Sequence, residues 1–209
     1  MRDNFYTKHG KRAFDFLVSL IGLIILSPLF GIISILIKIH DKGPIFFKQK
    51  RIGQNFKSFY IYKFRTMIIN AENKGPLITK EDDPRITALG KFLRKFKIDE
   101  LPQLINVLKG DMSLVGPRPE VEKYVNFFKK DYKEILKIKP GITDYATIYF
   151  KDEELILKNF AKNNDNIEEV YLKQILPQKI KFYKKYLQEI SFFTDLKLIF
   201  LTIWKILVT

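Results

Sequence analysis

Cysteine is absent from this chain, which removes a disulfide framework and every thiolate metal site from consideration. Histidine is nearly absent: His9 and His40 alone cannot build a histidine-rich zinc centre. Any metal must therefore sit on carboxylate oxygens, the preference of a hard ion such as magnesium. Acidic residues are also short, 23 against 37 Lys and Arg in 209 residues, giving a formal charge of +14. Such an excess points to a polyanionic partner: nucleic acid, an anionic lipid surface or a phosphorylated substrate. What is abundant is apolar. At 46% hydrophobic residues the chain is no disordered tail, and its length suits one compact unit with an appendage.

Charge is missing altogether from Phe16 to Ile37, a run of 22 residues. As a straight helix it would reach roughly 33 Å, enough for a hydrocarbon core of about 30 Å, so a membrane anchor is the first reading. A cleaved signal peptide fits less well, because the run is too long and has no small-residue cleavage site. Ser27-Pro28 sits at its centre, where proline removes a backbone hydrogen bond at a cost of about 3 kcal/mol. Lys8, Lys11 and Arg12 precede the run and Lys38 and Lys42 follow it, so the positive-inside rule puts both ends on the cytoplasmic side. A bent centre and two basic flanks favour a re-entrant hairpin, with Ser27 or local repacking satisfying the freed backbone groups; a kinked spanning helix is the rival. Asp15, at the edge of the run, is expected to pair with Arg12 at i,i+3 spacing.

From Pro44 to Thr66 two aromatic and β-branched runs flank Gly53-Gln54-Asn55, the pattern of a β-hairpin. In the second run Lys63 and Arg65 share a face. A basic, aromatic strand can stack single-stranded nucleic acid, but solvated strand charges are commoner, and no nucleic-acid partner is expected. Residues 68–86 carry loop signals, with Asp82-Asp83 shaping a turn rather than holding metal. Leu89, Phe92, Leu93 and Phe96 then recur at helical spacing opposite Lys91, Arg94, Lys95 and Lys97, a helix suited to an anionic membrane surface.

Two adjacent carboxylates follow. Asp99 precedes Leu101, Leu104, Ile105 and Leu108, and Gly110 is a C-terminal stop, so Asp99 reads first as an N-cap with Pro102 in the first turn. A cap alone does not account for its surroundings. Arg94, Lys95 and Lys97 lie before it, and Asp111 and the braced turn Gly116-Pro117-Arg118-Pro119 lie after it. Carboxylates alternating with cations suit metal-assisted phosphoryl transfer: a nucleophile, a hard ion, and a guanidinium holding phosphate oxygens at two points.

Lys-Phe-Arg-Thr-Met (63–67), Asp-Pro-Arg-Ile-Thr (83–87), Leu-Arg-Lys (93–95), Asp-Glu-Leu-Pro-Gln-Leu (99–104), Asn-Val-Leu-Lys-Gly-Asp-Met-Ser (106–113), Val-Gly-Pro-Arg-Pro (115–119) and Lys-Pro-Gly-Ile-Thr (139–143) occur in that order. Together they resemble the bacterial sugar transferase family, the monotopic phosphoglycosyl transferases, over roughly residues 8–205. The resemblance implies transfer of a sugar-1-phosphate from a UDP-sugar to undecaprenyl phosphate with release of UMP, initiating glycan or glycoconjugate assembly. It implies Asp99 as the nucleophile of a covalent phosphosugar intermediate with ping-pong kinetics, Glu100 as its assistant, and magnesium held at Glu100 and Asp99. Arg118 then matches a phosphate-contacting arginine, Arg94 a basic residue near the lipid-phosphate entrance, and Lys63 and Arg65 cations near the diphosphate. Ser27 and Pro28 match the helix-breaking pair of a re-entrant membrane helix. The chain departs from many relatives at Asp144-Tyr145-Ala146-Thr147, where they continue with glycine; the donor sugar stays open, and Asp144 receives no catalytic role.

Residues 151–189 are charged and helix-prone, with Lys179, Lys181, Lys184 and Lys185 as a second basic cluster. Ile190 to Val208 is apolar but holds Asp195, Lys197 and Lys205, which suits an interfacial or core-packing helix better than a span. Phe193, Leu196, Phe200, Ile203 and Leu207 share one of its faces, with Trp204 near headgroups. The expected fold is α+β and helix-dominated, with a membrane segment over residues 1–42 and a catalytic domain over 43–209 carrying a small β-hairpin and interfacial amphipathic helices. Its expected place is the cytoplasmic face of the bacterial inner membrane, monotopic and in contact with membrane lipids, with a homodimer left open. The alternative is a membrane-tethered basic protein that binds anionic lipid or nucleic acid without catalysis.

Overall fold

The uncharged run forms one long helix. α1 spans Lys11–Asp41 after a π-turn over Tyr6–Gly10, and its 31 residues rise roughly 46 Å. It is long and apolar enough to cross a membrane, and Phe16, Leu17, Ile21, Ile24, Ile25, Ile32, Ile35 and Ile39 are among its outward-facing side chains. The helix runs on through Pro28. That residue has no N–H for the Ile24 carbonyl, and Ser27 Oγ donates to the same oxygen instead at 2.8 Å. The computed structural model describes residues 5–76, 78–79, 83–161 and 166–208, so the turn reading of Asp82 lies outside the described residues.

The expected hairpin is present: β1 (Phe46–Ile52) and β2 (Ser58–Phe64) pair antiparallel, with Phe47 opposite Lys63. Its turn over Gln54–Phe56 uses left-handed backbone at Asn55 and Phe56. α2 (Ala88–Lys95) starts at Thr87, whose Oγ1 accepts the Gly90 N–H at 2.9 Å. Gly90 lies so close to β2's exit that a Cβ there would stand 2.0 Å from the Thr66 carbonyl oxygen. Leu93 is buried as its spacing predicts, whereas Phe92 is exposed, because α2 offers the protein a narrower apolar stripe than the four-residue pattern suggests. A 3-10 turn (Ile98–Glu100) leads to α3 (Gln103–Lys109), which stops at Gly110 with φ +88°. Asn106 of α3 completes the outer edge of β2: its side chain accepts the Tyr62 N–H at 3.0 Å and donates to the Tyr60 carbonyl at 2.7 Å.

β3 (Ser113–Val115) is joined through α4 (Glu122–Phe127) and α5 (Lys129–Ile135) to β4 (Gly141–Thr143), which pairs with it in parallel. The elements described after β4 are helices: α6 (Tyr145–Tyr149), α7 (Glu153–Ala161), α8 (Ile167–Val170), α9 (Leu176–Glu189) and α10 (Phe192–Leu207). Asp144 caps α6 by accepting the Thr147 N–H at 2.7 Å. The main core gathers Val107, Met112, Val115, Tyr132, Tyr183, Tyr186 and Leu198; a second, smaller one holds Ile33, Ile37, Phe64 and Leu93.

α1 therefore grips the globular body at both ends. Near its start Arg12 donates to the Val107 and Leu108 carbonyls at 2.6 and 2.8 Å, closing the C-terminus of α3, while buried Asp15 accepts the Leu114 N–H at 3.1 Å. The expected Arg12–Asp15 pair is corrected accordingly: α3 and β3 each offer a backbone group with no helical or ladder partner, and those demands take both side chains. Near its end Ile33 and Ile37 enter the small core. α10 divides as its period predicts, with Phe193, Leu196, Phe200, Ile203 and Leu207 all exposed. The buried side of α10 is instead fixed by Asp195, which accepts from Lys11 Nζ (2.6 Å), Tyr6 Oη (2.7 Å) and Tyr186 Oη (2.7 Å). The charge that argued against a span is thus a core tie between the first and last helices.

Candidate active site

Lys63, Arg65, Arg94, Asp99, Glu100 and Arg118 all line one cavity of about 890 Å³. They arrive from four places in the chain. Lys63 comes from the end of β2, Arg94 from the last turn of α2, the carboxylates from the 3-10 turn before α3, and Arg118 from the segment after β3. The Pro-braced turn is anchored by the parallel pair: Gly116 N–H donates to the Thr143 carbonyl and Gly141 N–H to the Pro117 carbonyl, both at 2.9 Å. Two sequence motifs 20-odd residues apart are therefore one structural device for holding Arg118.

Glu100 is saturated with cations. Arg118 Nη1 donates to Glu100 Oε2 at 2.9 Å and Nη2 to Oε1, a two-point contact, and Lys63 Nζ reaches Oε1 at 2.8 Å. Burial pushes the Glu100 carboxyl upward, but Arg118 and then Lys63 outweigh it and hold the group well below the usual range. Burial also lowers Lys63, with Arg118 adding to the fall and Glu100 opposing it.

Asp99 is the opposite case. It is 5% exposed, and among the described residues no side chain or backbone N–H donates to its carboxylate. Burial pushes it up to about 6; Lys63, Arg94 and Lys97 pull it down, and the charge on Glu100 raises it further. The N-cap reading of Asp99 is corrected. Pro102 stands at the head of α3, and Lys97, in left-handed backbone at φ +54°, heads the 3-10 turn. The tight turn spends the backbone groups that a capping Asp99 would have met, and its carboxylate is left for the cavity.

Arg94 and Arg65 stand apart from the Glu100 cluster. Arg94 Nε donates to Thr66 Oγ1 at 2.9 Å and Nη1 to Glu154 Oε1 at 2.8 Å. Arg65, buried, lies over Gly43, and its N–H bonds the Ile45 carbonyl at 2.9 Å. Asp83 fixes the loop before α2 by taking Arg85 Nε and Nη2 on its two oxygens, at 2.9 and 2.7 Å, as a turn-shaping role requires. Ser27 and Pro28 do not line the cavity. Sequence reasoning missed Glu153 and Glu154, which line it from the first turn of α7; Glu153 pairs with the buried Lys179. An acidic pair opening a helix was the available signal.

Among the described residues no three acidic or histidine side chains gather into a ready-made ion cage. The donor chemistry still suits magnesium assembled with substrate: Asp99 presents carboxylate oxygens unclaimed by hydrogen-bond donors, whereas Glu100 would have to release Lys63 or Arg118 to ligate.

Fold and site define a helix-dominated protein with one long apolar N-terminal helix and a cavity in which cations surround one braced and one unbraced carboxylate. The sequence matches the bacterial sugar transferase family over residues 6–209, and the chain belongs to that family. It is 37% identical over 202 residues to an Aeromonas hydrophila UDP-N-acetylgalactosamine-undecaprenyl-phosphate N-acetylgalactosaminephosphotransferase, covering 94% of this chain and 43% of that one. It is 33% identical over 202 residues to an Escherichia coli UDP-glucose:undecaprenyl-phosphate glucose-1-phosphate transferase, covering 93% and 39%. A Bacillus subtilis protein named uncharacterized sugar transferase EpsL is 37% identical over 199 residues, covering 95% and 88%. The chain thus spans about two fifths of the length of the first two relatives.

Proposed function

We propose that this chain transfers a sugar-1-phosphate from a UDP-sugar to undecaprenyl phosphate through a covalent intermediate on Asp99. The observation that carries the reading is the contrast within the carboxylate pair. Glu100 has its oxygens committed to Arg118 and Lys63, while Asp99 is buried, unbraced and shifted up to about 6, so at neutral pH it is ionised but poorly stabilised. A desolvated carboxylate of that kind is a nucleophile.

In the first step an Asp99 oxygen attacks the phosphorus that bears the sugar. The bond to the bridging oxygen breaks, and UMP leaves with the electron pair. In the second step the phosphate oxygen of undecaprenyl phosphate attacks the same phosphorus and Asp99 leaves as carboxylate, giving undecaprenyl-diphosphate-sugar. Arg118 and Lys63, oriented by Glu100, stabilise charge on the phosphoryl oxygens as it moves. Asp99 would hold magnesium, which would supply further charge neutralisation at the phosphates.

The membrane placement follows from the same substrates, one dissolved in water and one fixed in a leaflet. Both ends of α1 grip one globular body, both its flanks are basic, and Ser27 serves the carbonyl that Pro28 leaves open. These features support a re-entrant, monotopic arrangement on the cytoplasmic face, with the exposed faces of α1 and α10 in lipid. The test is UMP release across a panel of UDP-sugars with undecaprenyl phosphate and magnesium. Asp99→Asn is expected to abolish both turnover and the phosphosugar adduct, and retention of either refutes the assignment.

A further inference from the structure

We infer that Tyr183 Oη selects the donor sugar: it reads a ring hydroxyl of a neutral hexose seated in an arm of the cavity between α6, α7 and α9. This rests on the transfer reading above for the ligand's being a UDP-sugar, and it assigns residues which that reading does not use.

Thr147 of α6, Glu153 of α7, and Lys179 and Tyr183 of α9 line the same cavity as Arg118, and Tyr171 joins them from the π-turn over Tyr171–Ile175. Lys179 and Tyr183 stand at i and i+4, so they share one face of α9. That helix is pinned beside the segment carrying Arg118, because Tyr186, in the next turn, donates its hydroxyl to the Val115 carbonyl at 3.0 Å. From the other side β4 leads straight into α6, and its Thr143 carbonyl takes the Gly116 N–H that braces the same segment. The arm therefore opens beside the guanidinium that meets phosphate.

The charges in the arm cancel. Lys179 Nζ pairs with Glu153 Oε2 and donates to Tyr171 Oη at 3.4 Å; Tyr171 Oη donates to Glu120 Oε1 at 2.6 Å, and Glu120 meets Arg51 at 3.4 Å. Two cations and two anions alternate in a row, so a further anion would enter without a counter-charge. The arm suits a neutral polyol rather than a second phosphate or a uronate.

One polar atom is left over. Tyr183 is fully buried, and its hydroxyl has no hydrogen-bond partner among the described residues. Burial, and then Asp144, raise that hydroxyl well above its ordinary value, so it stays neutral and can both donate and accept. A sugar hydroxyl meets this need, and a donor lacking that hydroxyl leaves the phenol unmet in a dry site. Tyr132 of α5 provides the comparison: it is also buried with an unpartnered hydroxyl, but it does not line the cavity.

UMP release is measured with undecaprenyl phosphate for UDP-glucose, UDP-galactose and their 2-acetamido counterparts, then for the 3-, 4- and 6-deoxy forms of whichever is fastest. At least one deoxy form is expected to lose tenfold or more in kcat/KM, the scale of one unmet buried hydroxyl, and the matching uronate at least as much. Tyr183→Phe removes only the oxygen. It is expected to bring the ratio of parent to deoxy donor within about threefold, by slowing the parent, with Tm nearly unchanged. Tyr132→Phe is expected to leave the ratio as it is. A ratio that survives in Tyr183→Phe, a native chain indifferent to every deoxy form, or an equal collapse in Tyr132→Phe would each overturn the assignment. Calorimetric titration of the same donors into Asp99→Asn, with and without Tyr183→Phe, reads the arm without turnover. Tyr183-dependent discrimination in binding by a chain that releases no UMP keeps the arm and sinks the transfer reading; UMP release without that discrimination does the reverse; neither binding nor release sinks both.

Discussion

Replacing Asp99 by Asn is expected to make the protein more stable at pH 8 while destroying its chemistry. In the native state the carboxyl ionises near 6 instead of 3.8, because it is buried without donors. Between those values the folded chain keeps a proton that the unfolded chain has lost. The stabilisation this brings is complete below 3.8 and is gone once pH has risen through 6. At pH 8 the fold therefore carries an ionised Asp99 at a penalty of about 3 kcal/mol, the free energy of a two-unit shift. Asparagine has no such charge, but its amide still lacks partners, so a gain of roughly 1.5–3 kcal/mol is expected. For a chain of this size that is a rise in Tm of about 3–12 °C. The gain is expected to shrink below about 1 kcal/mol at pH 4, where native Asp99 is protonated. Thermal unfolding of both proteins in one detergent at the two pH values measures it. Glu100→Gln is the internal control with the opposite sign. Glu100 is held well below its ordinary value, so its contribution is present at neutral pH and lost on acidification, and the Gln variant is expected to be destabilised at pH 8. The reasoning fails if Asp99→Asn is no more stable than the native chain at pH 8, or if its advantage is undiminished at pH 4.

Formation of the Asp99 adduct is expected to rise with pH through about 6 and then level off; a flat profile from pH 5 to 8 would show that another group supplies the nucleophile. Arg118→Lys keeps a charge but loses the two-point contact with Glu100, so UMP release is expected to fall about 10–100-fold with Tm nearly unchanged, measured side by side. Gly90→Ala drives a Cβ into the Thr66 carbonyl oxygen and is expected to cost about 2 kcal/mol or more in chemical unfolding. Asp195→Ala strands Lys11 and the hydroxyls of Tyr6 and Tyr186 and is expected to cost about 2–4 kcal/mol, whereas Lys197→Ala on the exposed side of the same helix is expected to cost under 0.5 kcal/mol.

The six residues singled out in the sequence, Lys63, Arg65, Arg94, Asp99, Glu100 and Arg118, line one cavity, although they come from four separate places in the chain that only the fold brings together. The hairpin of β1 and β2 and the two-faced character of α10 followed from periodicity. Legibility failed where a side chain's partner was distant in sequence. Arg12 and Asp15 looked like a local pair, yet the Val107 and Leu108 carbonyls at the end of α3 and the Leu114 N–H draw them apart. Asp195 read only as a charge that argues against a membrane span, yet it binds groups 184 and 189 residues away. Glu154 gave no sign that it would meet Arg94.

The sequence by itself determined the chemistry on offer: no thiolate, scarcely any histidine, a carboxylate pair among cations, and an uncharged apolar run with Ser27-Pro28 at its centre. These depend on residue identity and on spacing within a few turns. Only the tertiary structure decided which carboxylate is which. Asp99 and Glu100 are neighbours with the same charge and nearly the same reach, and nothing in their order distinguishes a braced carboxylate from a buried, unbraced one. The distinction comes from Arg118 and Lys63, delivered from elsewhere in the chain to Glu100 and not to Asp99. Electrostatic environment is a property of assembled neighbours, and it exists only once the chain has folded.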